Sequence, residues 1–110
     1  MKIDLLYIDD CPSWQSALAN LKAALEAEGL EAVIRLVRVP DDTEAARLKF
    51  LGSPSFCVEG VDFWPEERKR YNLNCRIYAT PQGLKGFPTV DMLREKLHAL
   101  SIKNIRHSQV

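Results

Sequence analysis

The 110-residue sequence has little of what marks the specialised protein classes. Its 5 Gly and 6 Pro are too few for a collagenous or low-complexity chain, and 46% hydrophobic against 27% charged residues exclude an intrinsically disordered one. No apolar run approaches the ~20 residues needed to span a bilayer. Net charge is missing as well, with 15 Lys plus Arg balancing 15 Asp plus Glu. The balance hides a gradient, because residues 1–62 hold 11 acids and 6 bases while the rest hold 4 acids and 9 bases. The densest basic group, Arg68-Lys69-Arg70, follows Glu66-Glu67 and has no interleaved aromatics, so it reads as a solvated loop and not as a nucleic-acid surface. Histidine occurs only at His98 and His107, at no ligand spacing, which argues against a zinc site. Cys11, Cys57 and Cys75 are odd in number and irregular in spacing, so they do not form a secreted disulfide framework. The opening stretch turns acidic at Asp9-Asp10 before a secretory apolar region can form. The expectation is a cytoplasmic single domain over residues 1–100 with a frayed tail at 101–110, and neither membrane nor nucleic acid as partner.

What is present is an alternation of strand and helix patterns. Ile3 to Ile8 is short and apolar on both faces, as a buried central strand requires. Asp9-Asp10-Cys11-Pro12 turns, with Pro12 suited to the first helical position, and Trp14, Leu18, Leu21 and Leu25 then form one helical stripe that Gly29 ends. Ala32 to Val39 reads as a second strand whose two arginines place it near a sheet edge. Asp41 to Glu44 opens a helix expected to run through Ala45, Leu48 and Leu51 to Gly52. After Ser53-Pro54 a hairpin follows, Ser55 to Glu59 returning as Val61 to Phe63 around Gly60. Residues 64–88 are an irregular insertion with one strand candidate, Cys75 to Thr80, and long insertions of this kind are often functional. Thr89 can cap a last helix carrying Val90, Leu93, Leu97 and Leu100.

Three placements narrow this pattern. A Cys11-Pro12 pair sits where the first strand meets its helix, Ser53-Pro54 opens the hairpin after Gly52, and the last helix follows that hairpin. With these, residues 2–63 and 89–100 resemble the thioredoxin-like superfamily, and its glutaredoxin-like branch because the first strand begins almost at residue 1. The resemblance implies an α/β thioredoxin-like fold, β-α-β-α-β-β-α, with an inserted segment before the last helix. A four-stranded mixed sheet follows, in which the Pro54 strand runs antiparallel to the Ile3 to Ile8 strand. Cys11 would be the nucleophile, facing a cis Pro54, with Pro12, Ser13, Trp14, Ser53 and Pro54 contacting substrate backbone. The second motif cysteine falls at position 14, which is Trp, so Cys11-Pro12-Ser13-Trp14 lacks the usual dithiol. The implied activity is thiol–disulfide exchange, or mixed-disulfide formation, with a protein or small-molecule thiol or disulfide. No cofactor is implied, and the resolving thiol would be Cys75 or an external one.

A helix N-terminus favours a thiolate by ~0.3–1 kcal/mol. One carboxylate about 7 Å away opposes it by roughly 0.6–2.4 kcal/mol at effective dielectrics of about 80 to 20, so Asp9 and Asp10 work against Cys11. By position Cys11 is expected to be the most accessible thiol, Cys75 the next and Cys57, between Phe56 and Val58, nearly inert. Two other functions fit the same residues. One is a redox-inactive thioredoxin-like protein-binding module. The other is a soft-metal, mercury-type thiol-binding protein in which Cys11, Cys57 and Cys75 converge on an ion such as Hg(II) or Cu(I). Trp14 is explained by packing in its helical stripe as well as by ligand stacking.

Overall fold

The computed structural model describes residues 1–108, with side chains as far as Ile102. The elements are β1 (Lys2–Tyr7), α1 (Trp14–Ala27), β2 (Val33–Arg38), α2 (Asp42–Leu48), β3 (Ser55–Val58), β4 (Val61–Asp62), β5 (Tyr78–Thr80), β6 (Gly83–Lys85) and α3 (Val90–Ser108). The first four strands form one mixed sheet ordered β2-β1-β3-β4, and β5 pairs with β6 as a separate ribbon. β1 runs parallel to β2 and antiparallel to β3, the arrangement expected for the strand that follows Pro54.

The layering follows from β1, whose alternating side chains are apolar on both faces. Ile3 and Leu5 enter a cluster with Ala17, Leu21 and Ala24 of α1, Phe56, and Leu93 and Leu97 of α3. Leu6 points the other way, into a cluster with Val39, Ala45, Phe50 and Cys57 beside α2. Two helices therefore cover one face and the short α2 the other. Full burial of a Leu such as Leu93 or Leu97 stabilises by ~1.5–3 kcal/mol. Cys57 occupies the second cluster while Phe56 occupies the first, as alternation along β3 demands.

Local chemistry sets the element ends. Gly29, at φ +63°, takes the left-handed position after α1. The β3–β4 loop has positive φ at both Glu59 and Gly60, as a two-residue primed turn requires. Asp41 accepts the Glu44 N–H at 2.9 Å to cap α2, and Thr89 accepts the Met92 N–H at 3.1 Å in the first turn of α3. On edge strand β2, Arg35 and Arg38 pair with Asp4 and Asp9 at 2.8 and 2.7 Å.

Four local expectations are corrected. Pro12 lies before the helix: the Cys11 N–H closes a turn on the Ile8 carbonyl at 3.2 Å, and Ser13 is the N-cap of α1. α2 stops at Leu48 and does not reach Gly52, because Lys49 turns left-handed at φ 52° and sends Phe50 into the core. Only Tyr78–Thr80 of the expected Cys75 to Thr80 strand joins a ribbon, since Arg76 is drawn inward to buried partners. The tail expected to fray from Ser101 is helical to Ser108, with no Gly or Pro between Val90 and Ser108 to stop it, and 109–110 fall outside the described residues. Among the described residues no helix is long and apolar enough to cross a membrane.

Candidate functional site around Cys11 and Cys75

Cys11 sits at the carboxyl end of β1, in the turn to α1, and is 4% exposed. Its thiol donates to the carbonyl oxygen of Ser53 at 3.6 Å. Ser53 precedes Pro54 through a cis peptide bond, and both residues are buried. The Ser53 hydroxyl accepts the Ile8 N–H at 3.1 Å, which fixes the loop before β3 against the end of β1. Cys11, Ser53 and Pro54 are thus neighbours, brought together by the antiparallel pairing of β1 with β3.

The inserted segment lies over this loop. Ser53 and Cys75 form an isolated parallel bridge, in which the Ser53 N–H donates to Asn74 O and the Arg76 N–H donates to Ser53 O, both at 2.9 Å. Gly52 permits the approach: a Cβ there would lie 2.9 Å from both Arg76 Cβ and Asn74 Oδ1, and its φ of +117° suits only glycine. The far end of the segment closes on the same turn, since a Cβ at Gly86 would collide with Ser13 Oγ.

Arg76 anchors the cover. Its side chain is 7% exposed and donates to both Asp62 carboxylate oxygens at 3.0 and 2.9 Å, to Ser55 Oγ at 3.2 Å and to Trp64 O at 2.6 Å. The guanidinium also lies over the Tyr78 ring, 5.1 Å from its centroid, and the Tyr78 hydroxyl donates to Pro54 O at 2.5 Å. Burial pushes the Asp62 carboxyl up, and Arg76 offsets only part of that. Burial likewise holds the Tyr78 phenol above its ordinary value. The sequence carried one sign of this network: Arg76 and Tyr78, two residues apart, share the inward face of a segment whose Cys75 and Ile77 face out. Asp62 and Arg76 were missed because neither belongs to a recognisable motif.

The cysteines differ from the ranking expected of them. Cys75, and not Cys11, is the exposed thiol, while Cys11 is buried against Ser53, on whose main chain Asn74 and Arg76 also close. Desolvation pushes the Cys75 thiol up, as do the charge and hydrogen bonding of the adjacent Cys11 sulfur and the charge of Asp10. Asp9 is engaged by Arg38 at 2.7 Å. Cys57 is pushed up to about 12 by desolvation and by Asp62 and Asp4. All three are free thiols. No three His, Cys, Asp or Glu side chains gather as a metal site among the described residues, so the three-cysteine convergence is not found there.

Of the remaining candidates, Pro12 is exposed and Ser13 half-buried. Trp14 is half-buried, stacked on Tyr7 with ring centroids 4.5 Å apart, and packed on the main core. Comparison with family models, with curated proteins and with solved structures returned no match.

Proposed function

We propose that this chain is a thioredoxin-like, glutaredoxin-like protein that carries out thiol–disulfide exchange with Cys11 and Cys75 as its working pair. The observation that supports this best is that both cysteines meet Ser53: the Cys11 thiol donates to the Ser53 carbonyl, and Cys75 is the bridge partner of Ser53, near enough to Cys11 that Cys11 helps push its thiol up. The partner missing from position 14 is supplied from the insertion. In the exchange one thiolate attacks a substrate disulfide, an S–S bond forms as the substrate S–S bond breaks, and one substrate thiolate leaves. The second protein thiolate then attacks the mixed disulfide and releases the other substrate thiol. The protein ends as an intramolecular disulfide, two electrons oxidised, and an external thiol returns it to the dithiol. Redox exchange of this kind needs a protein or small-molecule disulfide as partner and no cofactor.

The same two sulfurs favour a second reading, two-coordinate binding of a soft ion such as Hg(II) or Cu(I), for which thiolates are the preferred ligands. The binding-module reading has less support, because the Ser53 main-chain groups that a peptide would use are taken by the chain itself. Peptide mapping of the protein after treatment with a small disulfide tests the proposal. The expected product has lost two hydrogens and yields a Cys11–Cys75 cross-linked peptide, with Cys57 still free. If both thiols remain reduced under conditions that oxidise a free dithiol, the redox reading is wrong, and retention of stoichiometric Hg(II) would then favour the metal reading.

A further inference from the structure

The two sulfurs of the pair stand in opposite relations to solvent. Cys11 is 4% exposed, its thiol bonded to the Ser53 carbonyl on which the Arg76 N–H also closes, whereas Cys75 is exposed. The Ser53 loop against which the Cys11 thiol is bonded is held by two main-chain hydrogen bonds to Asn74 and Arg76, and Arg76 is anchored in its buried ion pair with Asp62. A loop tied in this way opens only in rare sub-global excursions. Cys75 needs no such opening. Leu73 and Ile77, two residues away on either side, are themselves exposed at 37% and 66%.

We infer that Cys75 is the thiol that attacks the substrate and that Cys11 is the resolving thiol, the reverse of the order that the position of Cys11 implies. The inference rests on the exchange reading above. It also names a substrate class: uncharged low-molecular-weight disulfides, which approach Cys75 from solvent without main-chain pairing at Ser53, and which avoid repulsion from the nearby Asp10 carboxylate. The Cys75 thiolate attacks one sulfur of R–S–S–R, the R–S–S–R bond breaks, and RS⁻ leaves and is protonated. The first RS⁻ takes its proton from the Cys11 thiol as it leaves, the Cys11 thiolate attacks the Cys75 sulfur, and the second RS⁻ departs outward as the Cys11–Cys75 bond forms and is protonated by water. Two substrate thiols are released for one protein disulfide.

The test uses bis(2-hydroxyethyl) disulfide as probe, with acid quenching and peptide mapping of the reduced wild type, Cys11→Ser and Cys75→Ser, each checked for fold by circular dichroism. Cys11→Ser should accumulate the mixed disulfide on Cys75 at close to the wild-type initial rate. Cys75→Ser should form one on Cys11 at least about tenfold more slowly, because Cys11 stays buried. In the wild type, label should appear on Cys75 before the Cys11–Cys75 cross-link, a time course that holds whether or not either variant folds. Faster or equal trapping on Cys11, or label on Cys11 first in the wild type, would overturn the order and leave the exchange reading standing. Mixed disulfides that never resolve to the cross-link in the wild type would overturn that reading and the order with it.

Discussion

Two buried regions of this molecule are held by opposite kinds of force. The cluster between β1, α1 and α3 consists of Ile3, Leu5, Leu21, Leu93, Leu97 and their neighbours, and its stability comes from apolar area removed from water, with no preferred direction. The network that ties the inserted segment to the Ser53–Pro54 loop beside Cys11 is almost as dry, yet it is built from Arg76, Asp62, Ser55, Tyr78 and the Ser53 and Pro54 carbonyls, joined by directional bonds. An apolar region tolerates exchange of one side chain for another of similar volume. A buried ionic region does not tolerate loss of one member, because the charge left behind has neither water nor partner. The first region therefore holds the fold, and the second holds the inserted segment on the loop to which the Cys11 thiol is bonded.

The sharpest way to break this contrast is Arg76→Ala. It leaves the Asp62 carboxylate, 10% exposed, without its partner and should cost ~3–5 kcal/mol in urea unfolding. Alkylation of Cys11 in the folded protein should accelerate as Asn74 to Arg76 loosen. The double replacement Arg76→Met with Asp62→Leu should recover much of the lost stability, as removal of a whole buried pair often does. If the double variant is no more stable than the single one, the charge argument fails.

Leu97→Ala comes next, with an expected loss of ~2–5 kcal/mol by transfer and cavity terms. Unlike Arg76→Ala, it should leave the order of thiol reactivity in the native state unchanged, since Leu97 contributes apolar packing and none of the hydrogen bonds or charges of the Arg76 network. A change in that order would show that the two regions are coupled.

The smallest effect is a pH dependence. Cys57 is pushed from an ordinary value near 9.0 up to about 12, so its contribution to stability is complete below the lower value and is lost as pH rises toward the upper one. Stability of the wild type should fall between those values, with Tyr78 adding a loss of the same sign because its phenol is also raised. Cys57→Ala should flatten part of the decline in unfolding midpoint measured from neutral pH to about pH 11. An unchanged slope would mean that the buried thiol is not desolvated in the native state.

Much of the frame was legible locally. The apolar run Ile3 to Ile8, the stripe of α1, the Glu59-Gly60 turn and the Thr89 cap each follow from residues only a few positions apart, so period and turn chemistry revealed them. The ends of α2 and the run of α3 past Leu100 were less legible, because Lys49 terminates one helix without a glycine and the other shows no change of pattern between Leu100 and Ser108.

What the sequence determined by itself is the order of strands and helices, the burial of β1 on both faces, the burial of Cys57 and the place of Cys11 in a strand-to-helix turn. What only the tertiary structure decided is which thiol faces water. That depends on Cys11 meeting Ser53, 42 positions away, on Arg76 meeting Asp62, 14 positions away, and on Asn74 and Arg76 using the main chain of Ser53. Main-chain groups are the same in every residue, and a single arginine reaching a single aspartate has no period. Such pairings therefore leave no pattern along the chain and exist only once the sheet has brought the loop before β3 beneath the inserted segment.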